Sequence, residues 1–428
     1  MPTAAYYTLG CKVNQYETEK IRQEMESSGF ETVGFMNEAD VYVINTCTVT
    51  AIADGKSRRA LRQAVRRNPD ALVVATGCYA ELEADAIAGI DGVDLVVPNE
   101  DKDEIPHRAA SRFPGMRRNG LGRTARPRTR TRAILKVQDG CDQFCAYCAV
   151  PFARAGKRSR DLHEIVREAE TLAAFGYKEI VLTGIRLGSY CSPNGQIDTG
   201  VAELAERVCR VSGIERVRLS SIEAWEVSDK LISTMANNHA ICPHLHVPLQ
   251  SGDDAVLARM GRPYNAPAYR RVVETARKRI PDLAVSADVM VGFPGESDDE
   301  FERSRAFAEE MEFSRLHVFR YSSRPRARAA RMEGQISEQI KERRSNVMIE
   351  LGERMSQEFA RTYVNREVSV LAEHKRAGSG KLTGHTRNYV EVEFDGPANL
   401  AGSVVTVRAS DAVRGRLIGQ TVNRTGGY

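Results

Sequence analysis

Six short apolar runs in the middle of the chain, separated by stretches of helical spacing, constrain its fold most: ILKVQ (134–138), EIVLT (179–183), ERVRLS (215–220), HLHVPL (244–249), LAVSADVMV (283–291) and RLHVF (315–319). Continuous apolar strands joined by helices belong to parallel sheets covered on both faces. Six β-α units in a row predict a barrel or partial barrel, whose chemistry sits in loops at the carboxyl ends of the strands. A helical pattern over 336–360 closes this part.

The flanks differ in kind. Residues 1–100 carry AYYTL (5–9), VYVIN (41–45), LVVAT (72–76) and DLVVP (94–98), parted by amphipathic segments at 17–28 and 53–67. They predict a small parallel α/β domain. Residues 112–132 hold eight Arg, five Gly or Pro breakers and no acid, which reads as a linker. VSVLAEH (368–374), NYVEVEF (388–394) and SVVTVRA (403–409) alternate with period two between Gly-rich turns, as in a small antiparallel β barrel. The expected fold is α/β, with domains over 1–111, 133–361 and 362–428 and the linker between the first two.

With 42% hydrophobic and 28% charged residues the chain can bury sizeable cores, which excludes wholesale disorder. Its net charge is only +4, so any electrostatic message lies in the distribution of charge. The start, MPTAAYYTLGCKVNQ, has no basic region followed by an apolar core, and no run reaches the roughly 18 apolar residues of a membrane span. These features predict a soluble, cytoplasmic protein without a membrane partner. In a reducing compartment, nine cysteines point to metal ligation or catalysis rather than disulfides.

Three of them, Cys141, Cys145 and Cys148, lie on one tight loop, DGCDQFCAYCAVP, after the first barrel strand. Spacings of three and two residues suit three corners of a cubane cluster, and no fourth cysteine follows nearby, which leaves one iron open. A zinc site would ask for four ligands, usually from paired C-x2-C units. A purely structural role would need an apolar surround that this Gly-, Asp- and Gln-bearing loop lacks. Cys11, Cys47 and Cys78 follow a second rule, since each ends one of the N-terminal strand-like runs. The carboxyl edge of a parallel sheet is where open α/β folds bind ligands. These thiols are read as a second three-ligand cluster, the alternative being three unrelated half-buried cysteines.

The Cys141 loop resembles the signature of the radical S-adenosylmethionine enzymes. Together with GCKVNQYETE (10–19), INTCTVT (44–50), GCYAE (77–81), HVPLQSGDD (246–254) and VGFPGE (291–296), it resembles their methylthiotransferase branch over nearly the whole chain. The sequence around Cys11 is most similar to the branch acting on N6-threonylcarbamoyladenosine in tRNA. The resemblance implies two [4Fe-4S] clusters and S-adenosylmethionine as cofactors, with Cys141, Cys145 and Cys148 as the catalytic set that generates a 5'-deoxyadenosyl radical. It implies that Cys11, Cys47 and Cys78 hold the cluster that carries sulfur, and that the terminal β barrel is a TRAM-like RNA-binding module. The implied reaction is insertion of a methylthio group at carbon 2 of the adenosine beside the anticodon, at position 37. Implied partners are the tRNA anticodon loop, an electron donor such as flavodoxin or ferredoxin, and a sulfur source. Two alternatives stand beside this reading. One is methylthiolation of isopentenyladenosine in tRNA or of a ribosomal protein; the other is a non-catalytic RNA-binding protein with structural metals.

Tyr147 stands at the family's aromatic position beside the adenine, and Thr183 and Gly184 at the place that contacts the methionyl amino group. Ser221, Glu223, Gln250 and Ser251, after the third and fourth barrel strands, are candidate ribose or carboxylate contacts. The chain departs from the family pattern at Ala155, Arg186, Arg320 and Arg326-Ala327. Three of these departures introduce arginine, which suits a phosphate-rich substrate. Six Arg without an acid over 315–331, and nine Lys and Arg against six Asp and Glu over 366–428, extend that basic character. Tyr389, in GHTRNYV, offers a stacking edge for an unpaired base.

Overall fold

The computed structural model of the chain describes residues 1–114, 130–193, 200–376, 378 and 380–422. Most of the arginine-rich linker lies outside the described residues. The chain forms two compact units, one of Met1–Arg126, Asp139–Lys157 and Ser322–Ala330, the other of Pro127–Gln138, Arg158–Tyr321 and Arg331–Tyr428.

The first unit is built on a five-stranded sheet in the order β2-β1-β3-β4-β5, with β1 Thr3–Thr8, β2 Glu31–Val33, β3 Val41–Thr46, β4 Leu72–Gly77 and β5 Leu95–Val96. Every pairing is parallel. β3 and β4 are buried at every position, which is why they read as unbroken apolar runs. Helices α1 (Lys12–Ser27), α2 (Ala51–Arg67), α3 (Cys78–Leu82), α4 (Ala84–Ala88) and α5 (Ile105–Ser111) follow the strands. Two apolar clusters form the core, one around Tyr42, Ile44 and Leu61, the other around Ile21, Met25 and Phe30. β2 escapes a sequence reading because two of its three residues are exposed and it has no apolar run. The segment 139–157 adds α6 (Val150–Ala153) to this unit.

The second unit holds β6 (Ala133–Lys136), β9 (Glu179–Thr183), β10 (Arg216–Leu219), β11 (His244–His246), β12 (Ala284–Val291) and β13 (Arg315–Arg320), while the two-residue strands β7 (Gln138–Asp139) and β8 (Arg158–Ser159) flank the Cys141 loop in sequence. The sheets β10-β9-β6 and β11-β12-β13 are parallel throughout. Parallel bridges Val217 to Ile241 and Ser221 to His246 join them, so six strands run in sequence order as the β-α alternation predicts. Helices α7 (Leu162–Ala174), α8 (Val201–Cys209), α9 (Asp229–Asn237), α10 (Asp254–Met260), α11 (Ala266–Arg279) and α12 (Asp298–Glu310) connect them, and α13 (Glu338–Arg361) follows. Gly352 brings α13 so close to β13 that an added Cβ would lie 3.0 Å from that of Leu316.

The chain ends in a closed barrel, β14-β15-β16-β18-β17, formed by β14 (Glu367–Lys375), β15 (Leu382–Thr386), β16 (Glu391–Asp395), β17 (Val404–Val413) and β18 (Arg416–Thr421). Two of its five strands, β15 and β18, are absent from the sequence reading. Each carries a glycine, Gly384 or Gly419, that breaks the apolar alternation; an added Cβ there would lie 2.3 Å from Leu371 O or 2.4 Å from Arg408 O. The glycines that hide these strands are required by the close approach of the neighbouring ones.

Candidate metal centres and cofactor-binding residues

β1, β3 and β4 are neighbours in the sheet, and the three N-terminal cysteines follow their carboxyl ends: Cys11 caps α1, Cys47 follows β3, and Cys78 opens α3. Cys11 is exposed and the other two are buried. A Cβ on Gly10, whose φ is +96°, would lie 3.0 Å from the Cys47 sulfur, so the residue before Cys11 approaches Cys47 directly. Gly77, before Cys78, is held at φ +95° with Asn45 Oδ1 and Thr46 O 2.4 Å from where a Cβ would stand. Asn14 Nδ2 donates to Leu9 O (2.8 Å) and Thr46 O (3.0 Å), tying the β1 and β3 loops together. Burial pushes the Cys47 thiol up to about 11, with Cys78 and Cys11 adding to the effect. Cys78 is also pushed up, by burial, against the pull of Arg154. Thiols held together where their anions are costly suit a cationic guest, because metal coordination deprotonates them outright.

Arg154, on the segment that carries the other cysteines, is 3% exposed and forms the centre of a buried ionic network. Its Nε donates to Cys78 Sγ at 3.4 Å, Nη1 to Glu17 Oε1 (2.8 Å) and Asp139 Oδ1 (2.9 Å), and Nη2 to Glu17 Oε2 and Asn14 Oδ1 (2.8 Å each). Glu17 also pairs with buried Lys102. Burial lowers the Lys102 pKa and opposes the charge of Arg154, but Glu17 above all holds Arg154 protonated. Two cations meet two carboxylates here. Sequence reasoning missed this network; the signal within reach was Asn14 and Glu17, spaced three apart on the helix that Cys11 caps.

The Cys141 loop is shaped by backbone contacts. Gly140 has φ +74°, and an added Cβ would stand 1.6 Å from Gly156 O, so the two ends of the loop cross in contact. Cys141 N donates to Arg154 O at 3.3 Å, and Ala329 N donates to Ala146 O at 2.7 Å. Gln143 N and Val150 N each donate at 3.4 Å to a cysteine sulfur, of Cys141 and Cys148 respectively. Cys145 is buried, and Tyr147 and Cys148 are half-buried. Cys78 and Leu82 pack against Ala149 and Ala153, joining α3 to α6. Among the described residues, no group of three His, Cys, Asp or Glu is spaced to hold a single metal ion. A cubane takes one thiolate per iron. The donor set of each triad, three cysteine sulfurs, fits that group.

In the second unit Thr183 ends β9 and is buried, and Gly184 follows it. A Cβ on Gly184 would lie 2.7 Å from Gln138 Oε1, so the glycine is required by a protein neighbour, whatever ligand it also meets. Ser221 is exposed, and Gln250 sits at φ +64° with its backbone bonded to Asp288 O and Met290 N (2.8 Å each). Glu223 is ion-paired with Arg262, which lies over the rings of Trp225 and Tyr264. Ser251 is fully buried, and its hydroxyl contacts Ser304 Oγ (3.5 Å) and Asp253 N (3.2 Å). The Ser251 hydroxyl is thus engaged by protein groups. The GFPGE turn is closed by Glu296, which accepts from Gly292 N (2.7 Å) and Arg344 Nη1 (2.6 Å).

The arginine departures also differ from expectation. Arg186 pairs with Glu226 (2.6 Å), Arg320 with Glu342 (3.0 Å), and Arg326 donates to Leu82 O (3.0 Å). Within the 315–331 run, Arg324 is buried against Asp54 (2.7 Å). Protein groups therefore occupy side chains read as phosphate contacts. Tyr389 likewise meets protein groups: it stacks on His385 at 4.8 Å and lies 4.9 Å from His244, with Arg218 and Arg132 over its ring at 4.6 and 5.0 Å. Its φ is +72°. Arg216 and Arg218, both paired with buried Glu179, donate to the carbonyls of His385 (3.2 Å) and Arg387 (2.8 Å). The 385–389 turn is thus a plug that fixes the terminal barrel to β9 and β10, and the half-buried Tyr389 ring is engaged by protein neighbours.

The fold and the cysteine loop define a radical S-adenosylmethionine protein. Residues 135–308 match the family model of the radical SAM superfamily, and residues 3–98 that of the uncharacterized protein family UPF0004. The solved radical S-adenosylmethionine methyltransferase TsrM from Kitasatospora setae shares the fold at a TM-score of 0.56 and 16% identity, over 74% of this chain and 75% of that one. The threonylcarbamoyladenosine tRNA methylthiotransferases of Bacillus subtilis and Thermotoga maritima are 41% and 38% identical, each over 95% of this chain and 94% of the relative. The tRNA-2-methylthio-N(6)-dimethylallyladenosine synthase of Dictyoglomus thermophilum is 33% identical over 99% of both chains. The chain belongs to the tRNA methylthiotransferase family of radical S-adenosylmethionine enzymes, which use S-adenosylmethionine and [4Fe-4S] clusters. Among the described residues, no helix is long and apolar enough to cross a membrane.

Proposed function

We propose that the chain methylthiolates carbon 2 of N6-threonylcarbamoyladenosine beside the tRNA anticodon, at position 37. The observation that carries this reading is the placement of two cysteine triads in one unit, one behind three neighbouring strands and one on the Cys141 loop, linked by the Arg154 to Cys78 hydrogen bond. In this reading Cys141, Cys145 and Cys148 hold one cluster and Cys11, Cys47 and Cys78 the other. With S-adenosylmethionine, the bound clusters supply a carbon radical, a sulfur and a methyl group, which a C–H bond that is neither acidic nor electrophilic requires.

The protein's own contribution is placement and electrostatics. Gly10, Gly77 and Gly140 hold the thiols where a larger residue would collide. Arg154, kept charged by Glu17, offsets thiolate charge at Cys78. Tyr147, Thr183, Gly184, Ser221, Glu223 and Gln250 are proposed as cofactor and ribose contacts, with Ser251 supporting them. The functional divisions are 1–111, 133–361 and 362–428, joined by the basic linker 112–132. An electron donor such as flavodoxin or ferredoxin, a sulfur source and a cytoplasmic location complete the reading.

The test is mass spectrometry of tRNA nucleosides from a strain lacking the gene. Loss of the methylthio mark from threonylcarbamoyladenosine supports the assignment. Loss from isopentenyladenosine alone would transfer the activity to the other tRNA branch, represented by the 33% identical relative.

A further inference from the structure

Helix α2 begins four residues after Cys47, with Thr50 as its cap. Its buried face carries no charge and consists of Ser57, Ala60, Leu61 and Ala64. Of its six cations, the two half-buried ones are engaged by the protein: Arg58 donates to Tyr79 Oη at 2.7 Å, and Arg67 lies over Phe35 at 5.1 Å. The remaining four, Lys56, Arg59, Arg62 and Arg66, are exposed. At 3.6 residues per turn they fall within an arc of about 120°, over about 15 Å of helix. Ile52, 72% exposed, lies on the same arc at the Cys47 end. The helix's one acid, Asp54, is committed to Arg324 at 2.7 Å. The stripe therefore carries four cations without a neutralising carboxylate on its own helix.

We propose that this face of α2 is an RNA-binding surface, on which the sugar-phosphate strand next to the target nucleotide runs along Lys56, Arg59, Arg62 and Arg66. The inference rests on the tRNA reading above and deepens it. Charge complementarity picks the occupant, because a row of cations on a single helical line faces the regular row of charges of a phosphodiester strand. Position gives the direction: Ile52 and Val49, 72% and 55% exposed, stand nearest Cys47 and offer apolar surface to an unstacked base, while the cations lead away from it. The departures Arg186, Arg320 and Arg326 have protein partners, whereas among the described residues no carboxylate pairs with Lys56, Arg59, Arg62 or Arg66.

The test replaces Lys56, Arg59, Arg62 and Arg66 together by Gln in the full-length, cluster-loaded protein, and measures binding of an anticodon stem-loop across a salt series. Each lost phosphate contact lowers the slope of log affinity against log salt by about 0.7 to 0.9, so loss of all four should reduce it by roughly three to three and a half, with at least tenfold weaker binding at low salt. Iron content and tRNA-independent cleavage of S-adenosylmethionine should be unchanged. An Arg271→Gln, Lys278→Gln protein, which loses exposed charge from α11, should retain most of the slope. In the unaltered protein, bound RNA should protect Lys56 from acylation. Equal slopes and affinities for the altered and unaltered proteins, or equal acylation of Lys56 with and without RNA, would overturn the proposal. Absence of salt-dependent binding by the unaltered protein would instead remove the tRNA reading itself, and this surface with it.

Discussion

Arg154 donates from its Nε to the sulfur of Cys78 at 3.4 Å, so the segment carrying Cys141, Cys145 and Cys148 is tied to the cysteine edge of the N-terminal sheet. Arg154 meets that sulfur while its other nitrogens hold Glu17, Asn14 and Asp139. A planar fork satisfies several acceptors at once, which a point charge does not.

Arg154→Met should leave Glu17 buried with Lys102 as its remaining cation, at a cost of about 3 to 5 kcal/mol. Arg154→Lys should retain part of the charge and little of the geometry. The measurement is iron retention in a protein whose Cys141, Cys145 and Cys148 are Ala, where bound iron reports on the N-terminal triad. Both substitutions should lower it, Met more than Lys. Full retention in the Met protein would show that Arg154 acts on the fold alone.

Gly140→Ala places a methyl group against Gly156 O in a left-handed backbone that alanine avoids. Two cubanes carry about eight iron per chain. The variant should keep about half of that, with the spectroscopic signature of the Cys11, Cys47 and Cys78 site intact. Wild-type iron content would mean that the loop relaxes without losing its ligands.

The two triads should separate by function. Cys47→Ala should still cleave S-adenosylmethionine to 5'-deoxyadenosine under reduction yet form no methylthio nucleoside, whereas Cys145→Ala should lose the cleavage itself. Methylthio product from either variant contradicts the assignment.

Glu373 is bonded to His385 at 2.9 Å and paired with Arg132 at 3.0 Å, beside the Tyr389 plug. Burial would raise its pKa, but His385 and Arg132 hold the carboxyl below its usual range. A folded value below the unfolded one stabilises the ionised, folded form. The benefit is complete above about pH 4.3, the unfolded value, and is lost as pH falls through the folded one. Glu373→Gln should therefore destabilise the terminal barrel by about 1 to 3 kcal/mol near neutrality and by progressively less in acid. Urea unfolding followed at several pH values checks this, and a difference constant with pH would assign the effect to packing.

The chain's own pattern determined the six-stranded order, since continuous apolar runs parted by helices admit few other arrangements, and it marked both triads, since cysteine spacing and strand ends are local properties. It did not reveal β15 or β18, whose glycines answer to atoms on neighbouring strands. Nor did it show what the arginines do. A charge in sequence looks the same whether it faces solvent or a carboxylate far along the chain. Only tertiary structure brought Glu17, Lys102, Asp139 and Arg154 together, closed Arg324 on Asp54, set Tyr389 against His385 and Arg218, and left the α2 stripe exposed. Burial makes an unpaired charge costly, so pairing is decided by which groups lose water together, and that is settled by packing rather than by neighbours in sequence.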